Sequence, residues 1–310
     1  MQFLRKLFRN QAHDRADDKE PPFASAQADE ETPSIIEGEE GKGNVPVGRR
    51  TDFDVGWSTD VGLVRRHNED SLLVLTAVYD GDVTGKTIPP LGLFVLADGM
   101  GGHQAGEVAS SLAARTVVHY VIQHLYLPTL LYQEHGTDQP PLNELLINAV
   151  QAAHMAVANQ VPGAGTTLTG ALLLGARAYI VHVGDSRAYI STEENLEQIT
   201  HDHSLVDRLI ELGQLTPEEA TTHPQRNVLY RALGQNDFLE VDTYVRTIPP
   251  GGRLLLCSDG LWGMVDSVQI ADIVTNAFSP QVACQRLVTA ANQAGGVDNI
   301  TVILIAPPAE

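Results

Sequence analysis

Cysteine and lysine are scarce in this chain, long apolar runs are missing, and positive charge is in deficit. Two cysteines in 310 residues, Cys257 and Cys284, cannot build a disulfide framework or a zinc ribbon, which fits a reducing compartment. All four lysines fall within the first 86 residues, so no later face can be made basic with lysine. Twenty Lys and Arg stand against 39 Asp and Glu, a net charge of −19. A nucleic-acid backbone calls for the opposite balance, in clusters. No stretch reaches the roughly 18 apolar residues needed to span a bilayer. The start, MQFLRKLFR, lacks the apolar core and small-residue cleavage site of a signal peptide. A cytoplasmic chain is expected, with no nucleic-acid partner and no transmembrane segment.

What is present divides in two. Residues 1–50 are rich in Asp, Glu, Gln, Gly and Pro, with almost no apolar cluster. Such a segment cannot bury enough surface to offset its chain entropy, so a disordered tail is expected there. Only Phe3, Leu4, Leu7 and Phe8, set among Arg5, Lys6 and Arg9, hint at a short amphipathic contact. The tail holds eight basic and ten acidic residues, which leaves −17 on the body, residues 51–310.

The body alternates two periodicities. Continuous apolar runs at 91–96, 170–174, 178–183, 253–257 and 299–305 read as strands covered on both faces. Apolar residues spaced by four over 105–125, and a stripe from Leu142 to Ala156, read as long helices. Ser204 with Asp207, and Thr216 with Glu219 behind Pro217, form capping boxes that start two short helices. A last helix begins at Ser279-Pro280 and stops near Gly295-Gly296. Consecutive long helices argue against a regular βαβ array and for sheets covered by helix pairs.

Chemistry shows at the strand ends. Three apolar runs finish at Asp98, Asp185 and Asp259, and Asp298 opens the last one. One such aspartate is ordinarily a cap or turn former. Four of them flush with core strands need cations, because converging carboxylates repel and are costly to desolvate. Hard oxygen donors suit Mg²⁺ or Mn²⁺. The competing motifs fail on context. GMGGHQAG has neither the third glycine of a dinucleotide fingerprint nor the Gly-Lys-Ser/Thr of a P-loop. Ser186 in GDSRA is followed by strand-like Ala188-Tyr189-Ile190 instead of the helix a nucleophile elbow requires. Asn299-Ile-Thr301 matches a glycosylation pattern but falls in a core strand, where it carries no such meaning.

In order, the chain carries TDVGLVRRHNEDS (59–71), VLADGMGGHQAGEVAS (95–110), GTTLTGALL (165–173), VGDSRAYI (183–190), THDHSLV (200–206), HPQRNVLYRALG (223–234), CSDGLWG (257–263) and DNITVIL (298–304). Together these motifs resemble the metal-dependent serine/threonine phosphatases of the protein phosphatase 2C type, in their bacterial form. The resemblance runs from about Thr51 to Pro307.

It implies an α+β fold, a four-layer α-β-β-α sandwich of two antiparallel sheets flanked by helix pairs, with a flap at about 200–232. It implies that Asp98 bridges two Mn²⁺ or Mg²⁺ ions and that Gly99 offers its carbonyl. Asp259 and Asp298 would complete one site; Glu69 and Asp70 would serve the other, directly or through water. Asp185 would hold a third, weaker ion, and Arg65 would grip the substrate phosphate, with Arg66 a surface residue. The cations would activate a water to hydrolyse phosphoserine or phosphothreonine in proteins, opposing a serine/threonine kinase, and the protein is expected to be a monomer. Met100 stands where animal relatives place a histidine proposed as general acid, so another side chain, with His103 the nearest histidine in sequence, or a metal-associated water must supply that proton. Gly263 replaces an aspartate that supports the extra ion. His201, His203 and His223 fall in the flap, with packing as plausible a role as catalysis. Two other readings are an inactive phosphatase-like binding module, which the complete acidic set opposes, and a phosphatase dedicated to a sigma-regulator antagonist.

Overall fold

The computed structural model describes residues 52–79, 89–101, 104–131 and 140–308. The N-terminal tail, with its amphipathic start, and His103 lie outside these residues. One sheet has the order β1-β11-β10-β7-β8, formed by β1 (Asp54–Asp60), β11 (Ile300–Ala306), β10 (Arg253–Cys257), β7 (Arg187–Ser191) and β8 (Leu196–Gln198). The other runs β2-β3-β5-β6-β9, formed by β2 (Asp70–Ala77), β3 (Leu91–Met100), β5 (Leu168–Leu174), β6 (Arg177–Val183) and β9 (Asp242–Thr247). The two-residue β4 (Gly165–Thr166) pairs with the end of β3. The ladders within both sheets are antiparallel.

Alternation along single strands builds the layers. In β3, Leu93 and Val95 join the core under α1 (Gln104–Val121) and α3 (Leu142–Gln160). Phe94 and Leu96, pointing the other way, join the core between the sheets. In β10 and β11 the same period of two sends Leu254, Leu256, Ile303 and Ile305 inward between the sheets. It sends Leu255, Cys257, Val302 and Leu304 outward under α6 (Asp259–Trp262), α7 (Ser267–Asn276) and α8 (Pro280–Gln293). Three cores therefore separate four layers, helix–sheet–sheet–helix. Strands that feed a core on each face must be apolar throughout, which is why these runs are continuous.

Two elements depart from their sequence pattern. The helix expected over 105–125 is α-helical only to Val121 and continues as a π-helical turn at Ile122–Tyr126, then α2 (Leu127–Leu130). A four-residue spacing drifts around a 3.6-residue helix, and a turn widened by one residue offsets that drift and keeps Leu125 buried. Of the two capping boxes, the one at Thr216 is complete at the start of α5 (Pro217–Thr221). At Ser204 only half is present: the hydroxyl accepts from the Asp207 N–H at the start of α4 (Leu205–Glu211). Both helices lie in the excursion between β8 and β9, the segment expected to be the flap. Both cysteines are buried and free. Among the described residues no helix is long and apolar enough to cross a membrane.

Candidate functional site

Strand ends from both sheets meet at one end of the sandwich. Asp98 sits two residues before the end of β3, directly opposite Asp70 in the β2–β3 register. Asp185 lies in the turn that carries the chain from β6 in one sheet to β7 in the other. Asp259 is the first residue of α6, just past β10, and Asp298 comes two residues before β11. A pocket of about 530 Å³ is lined by Arg65, Glu69, Asp98, Gly99, Asp185, Asp259 and Asp298. Asp70 stays off the pocket wall; it is buried, and its Oδ2 accepts from Ser258 Oγ at 2.9 Å. Arg66 is exposed, as expected of a surface residue, and lines the pocket as well.

Backbone contacts fix this carboxylate ring from below. The Asp98 N–H donates to Thr167 Oγ1 (2.9 Å), and its carbonyl accepts from the Thr167 N–H (2.8 Å) and Thr166 Oγ1 (2.9 Å). The Gly99 N–H donates to the Glu69 carbonyl at 3.1 Å. A Cβ on Gly99 would lie 2.2 Å from the Gly106 carbonyl, and one on Gly106 would lie 2.4 Å from the Glu69 carboxylate. Only glycine lets β3, α1 and the Glu69 segment approach so closely.

Burial dominates the electrostatics. It pushes the carboxyls of Asp98 and Asp259 well above the usual range, and neighbouring aspartates push in the same direction. Burial likewise raises Asp70 to about 6, and Asp185 to about 7 with repulsion from Asp202 added. Among the described residues no three His, Cys, Asp or Glu side chains close on a single point; these carboxylates ring a pocket instead of forming a finished shell. Whether the ring fits divalent cations is decided by two atoms. Asp70 Oδ1 and Asp259 Oδ1 are buried without a hydrogen-bond partner. A buried carboxylate oxygen lacking a donor is costly, and a divalent cation is one partner that would relieve it. An all-oxygen donor set suits Mn²⁺ or Mg²⁺, so the residues fit.

Arg65 is held in the same pocket, its Nη2 donating to Asp298 Oδ2 at 2.6 Å. That bond raises the guanidinium pKa further. The turn bearing Asp185 is clamped on several sides. The Trp262 indole N–H donates to the Asp185 carbonyl at 3.0 Å, and the Arg187 guanidinium lies 3.6 Å over the Trp262 ring. The His203 N–H donates to the Gly184 carbonyl (2.7 Å), and His203 Nδ1 accepts from the Gly184 N–H (3.1 Å). The ring proton of His203 is therefore on Nε2, facing Asp242 Oδ2 at 3.3 Å. Of the flap histidines, His203 is buried and structural, while His201 is exposed and His223 half-buried.

Several of these residues escape sequence reasoning. Asn299 is one: its amide donates to the carbonyls of Val61 (3.0 Å) and His67 (2.9 Å), and its Oδ1 accepts from the Glu69 N–H (2.8 Å). The residue dismissed as a glycosylation match thus staples the whole Arg65 loop. Trp262 and Thr167 act in the same way, through backbone atoms of distant segments. Among the described residues His67 is the histidine on the pocket wall. Ser186 is fully buried, its Oγ 2.8 Å from Thr167 Oγ1, so it presents no nucleophile.

Comparison with known proteins identifies the family of the chain. Residues 84–294 match the family model described as protein phosphatase 2C. A serine/threonine phosphatase stp of Listeria welshimeri is 38% identical over 247 residues, covering 80% of this chain and 93% of that protein. The protein phosphatase PhpP of Streptococcus pneumoniae is 35% identical over 82% of this chain and 97% of its own length. Among solved structures, the serine/threonine phosphatase PstP/Ppp of Mycobacterium tuberculosis superposes with a TM-score of 0.67 at 38% identity, covering 83% of this chain and 99% of that one. A PstP catalytic domain in complex with two manganese ions superposes with a TM-score of 0.66 at 35% identity, covering 84% and 99%.

Proposed function

Since the chain belongs to the protein phosphatase 2C family and is a metal-dependent serine/threonine phosphatase, we propose that the carboxylate pocket is where the phosphate ester is cleaved. The observation that carries this is the pair of orphaned carboxylate oxygens, Asp70 Oδ1 and Asp259 Oδ1, beside an opening roomy enough for a phosphoester that also holds Arg65. Asp98, Asp259 and Asp298 would hold one cation, with the Gly99 carbonyl beside them. Asp98 would share a second with Glu69 and Asp70, and Asp185 would serve a third. Bound Mn²⁺ or Mg²⁺ supplies Lewis acidity that activates a water and neutralises charge on the phosphoryl oxygens. Arg65 orients the phosphate by paired N–H donors. Met100 has no proton to give the departing hydroxyl, which leaves that step to solvent or a histidine at the pocket. Residues 51–310 form the catalytic unit and about 200–232 its flap; the substrates are phosphorylated proteins, made by a serine/threonine kinase.

Hydrolysis of a phosphothreonine peptide should require added Mn²⁺ or Mg²⁺ and stop in excess chelator. Full turnover after chelation would refute the metal-dependent reading. A second expectation concerns the clamp on Asp185. Trp262→Phe keeps an aromatic ring beneath Arg187 and removes the indole N–H together with the five-membered ring that carries it. The Mn²⁺ concentration for half-maximal activity should rise several-fold, with kcat at saturating Mn²⁺ changed less than twofold. An unmoved midpoint in a metal titration would show that Asp185 is placed without Trp262.

A further inference from the structure

Three exposed aliphatic side chains flank the pocket-lining Arg65 and Asp298 in the chain. Leu63 (69% exposed), Val64 (65%) and Val297 (47%) lie on two loops that are bonded together. The Leu63 N–H donates to the Gly296 carbonyl at 2.7 Å, and Arg65 reaches across to Asp298. Single exposed aliphatic residues are ordinary; a group of them on the two bonded loops that bring Arg65 and Asp298 to the pocket is not. The rigidity has named causes. Asn299 ties both ends of the loop, and Asp60 Oδ1 accepts from the Gly62 N–H at 2.8 Å. Gly62, at φ +77, has its α-carbon where an added Cβ would lie 2.3 Å from the Asp298 carbonyl. The shelf is therefore built before any substrate arrives, and little ordering entropy opposes its use.

The reaction itself says what crosses that shelf. A phosphate esterified to a polypeptide can reach Arg65 only if the chain on either side of the phosphoresidue passes over the rim. An extended chain rises ~3.3 Å per residue, so residues one and two places away lie within about 7 Å. Asn227 and Leu229 also line the pocket, and the body carries a strong negative charge that disfavours acidic neighbours. We infer that Leu63, Val64 and Val297 select phosphoprotein segments bearing a bulky aliphatic or aromatic side chain within two residues of the phosphoserine or phosphothreonine. This rests on the pocket being the phosphatase site.

The test uses the full-length protein with Mn²⁺ and phosphothreonine peptides that differ only in the residues flanking the phosphate on either side: leucine, serine or glutamate. Burying part of a leucine on the shelf should raise kcat/KM about tenfold over serine, chiefly through KM. In the surface double variant Leu63→Ser/Val64→Ser that ratio should fall below twofold, while nitrophenyl phosphate, which has no flanking chain, is hydrolysed within twofold of the wild-type rate. If the wild type cleaves nitrophenyl phosphate but treats the peptides alike, or if the double variant keeps the preference, the inference is overturned. If the wild type cleaves none of these substrates, the assignment of the pocket itself fails, and the rim assignment falls with it.

Discussion

Replacing Asp98 by asparagine is expected to abolish turnover and, in the same molecule, to stabilise the metal-stripped protein at neutral pH. The loss should be at least ~10³-fold in kcat, about 4 kcal/mol of transition-state stabilisation. Asp98 is the carboxylate that Asp70, Asp259, Asp185 and Asp298 all repel, so an isosteric neutral amide removes the centre of the repulsion. The fold should survive, because Thr166 and Thr167 hold residue 98 through its backbone. The pH dependence has a definite sign. In the unfolded chain these carboxyls release protons near 3.8, whereas in the fold Asp70 retains its proton to about 6 and Asp185 to about 7. Between pH ~4 and ~7 the folded state binds more protons, so the stability of the metal-free protein falls as pH rises through that window. Asp98→Asn should flatten this slope and raise the melting temperature at pH 7, and added Mn²⁺ should stabilise the wild type far more than the variant. A variant with near-native kcat, or one less stable than wild type after chelation, would contradict this account. Function here is kept at the expense of stability.

How much of this could be read from the amino acids depended on the direction in which each residue acts. Asp98, Asp185, Asp259 and Asp298 stood out because each breaks an apolar run, and a charge beside a core strand needs a reason. Strands β3, β5, β6, β10 and β11 were visible because cores lie on both of their faces. By contrast β9, with the sequence DTYVRT, is a half-buried edge strand whose alternation is diluted by polar residues. Asn299 and Trp262 left no signal of their positioning roles, since each acts by a hydrogen bond to a backbone atom that folding alone brings near, and for His203 the sequence left packing and catalysis equally open. Arg66 is exposed, as expected of a surface residue, and the loop held by the Asn299 staple also places it on the pocket wall. The π-helical turn was foreshadowed only as a spacing of four, slightly too long for an α-helix. That irregularity passed for ordinary periodicity.

Removing the Arg65 side chain should move two observables in opposite directions. In this structure its guanidinium is bound to Asp298 at 2.6 Å while lining the pocket that must take a phosphate. A phosphate entering there competes with Asp298 for the same donors, and the pair is open enough to exchange, with side-chain exposures of 53% and 25%. In Arg65→Ala the substrate loses charge-assisted hydrogen bonds worth ~1.5–3 kcal/mol, so KM for a phosphopeptide should rise by a factor of ~10–100. Because the guanidinium binds phosphate in ground and transition states alike, kcat should fall less than kcat/KM. Asp298, at the same time, loses its counter-charge and becomes a better ligand for a cation. The Mn²⁺ concentration needed for half-maximal activity should therefore drop, even as the substrate requirement grows. Arg65→Lys should recover the charge but not the paired donors, and give an intermediate KM. Arg66→Ala on the same substrate sets the scale for a pocket-lining arginine with no bond to Asp298, and its KM effect should be the smaller of the two. If Arg65→Ala raised the Mn²⁺ requirement and left KM unchanged, Arg65 would belong to the metal-holding framework through Asp298 and the phosphate would need another partner.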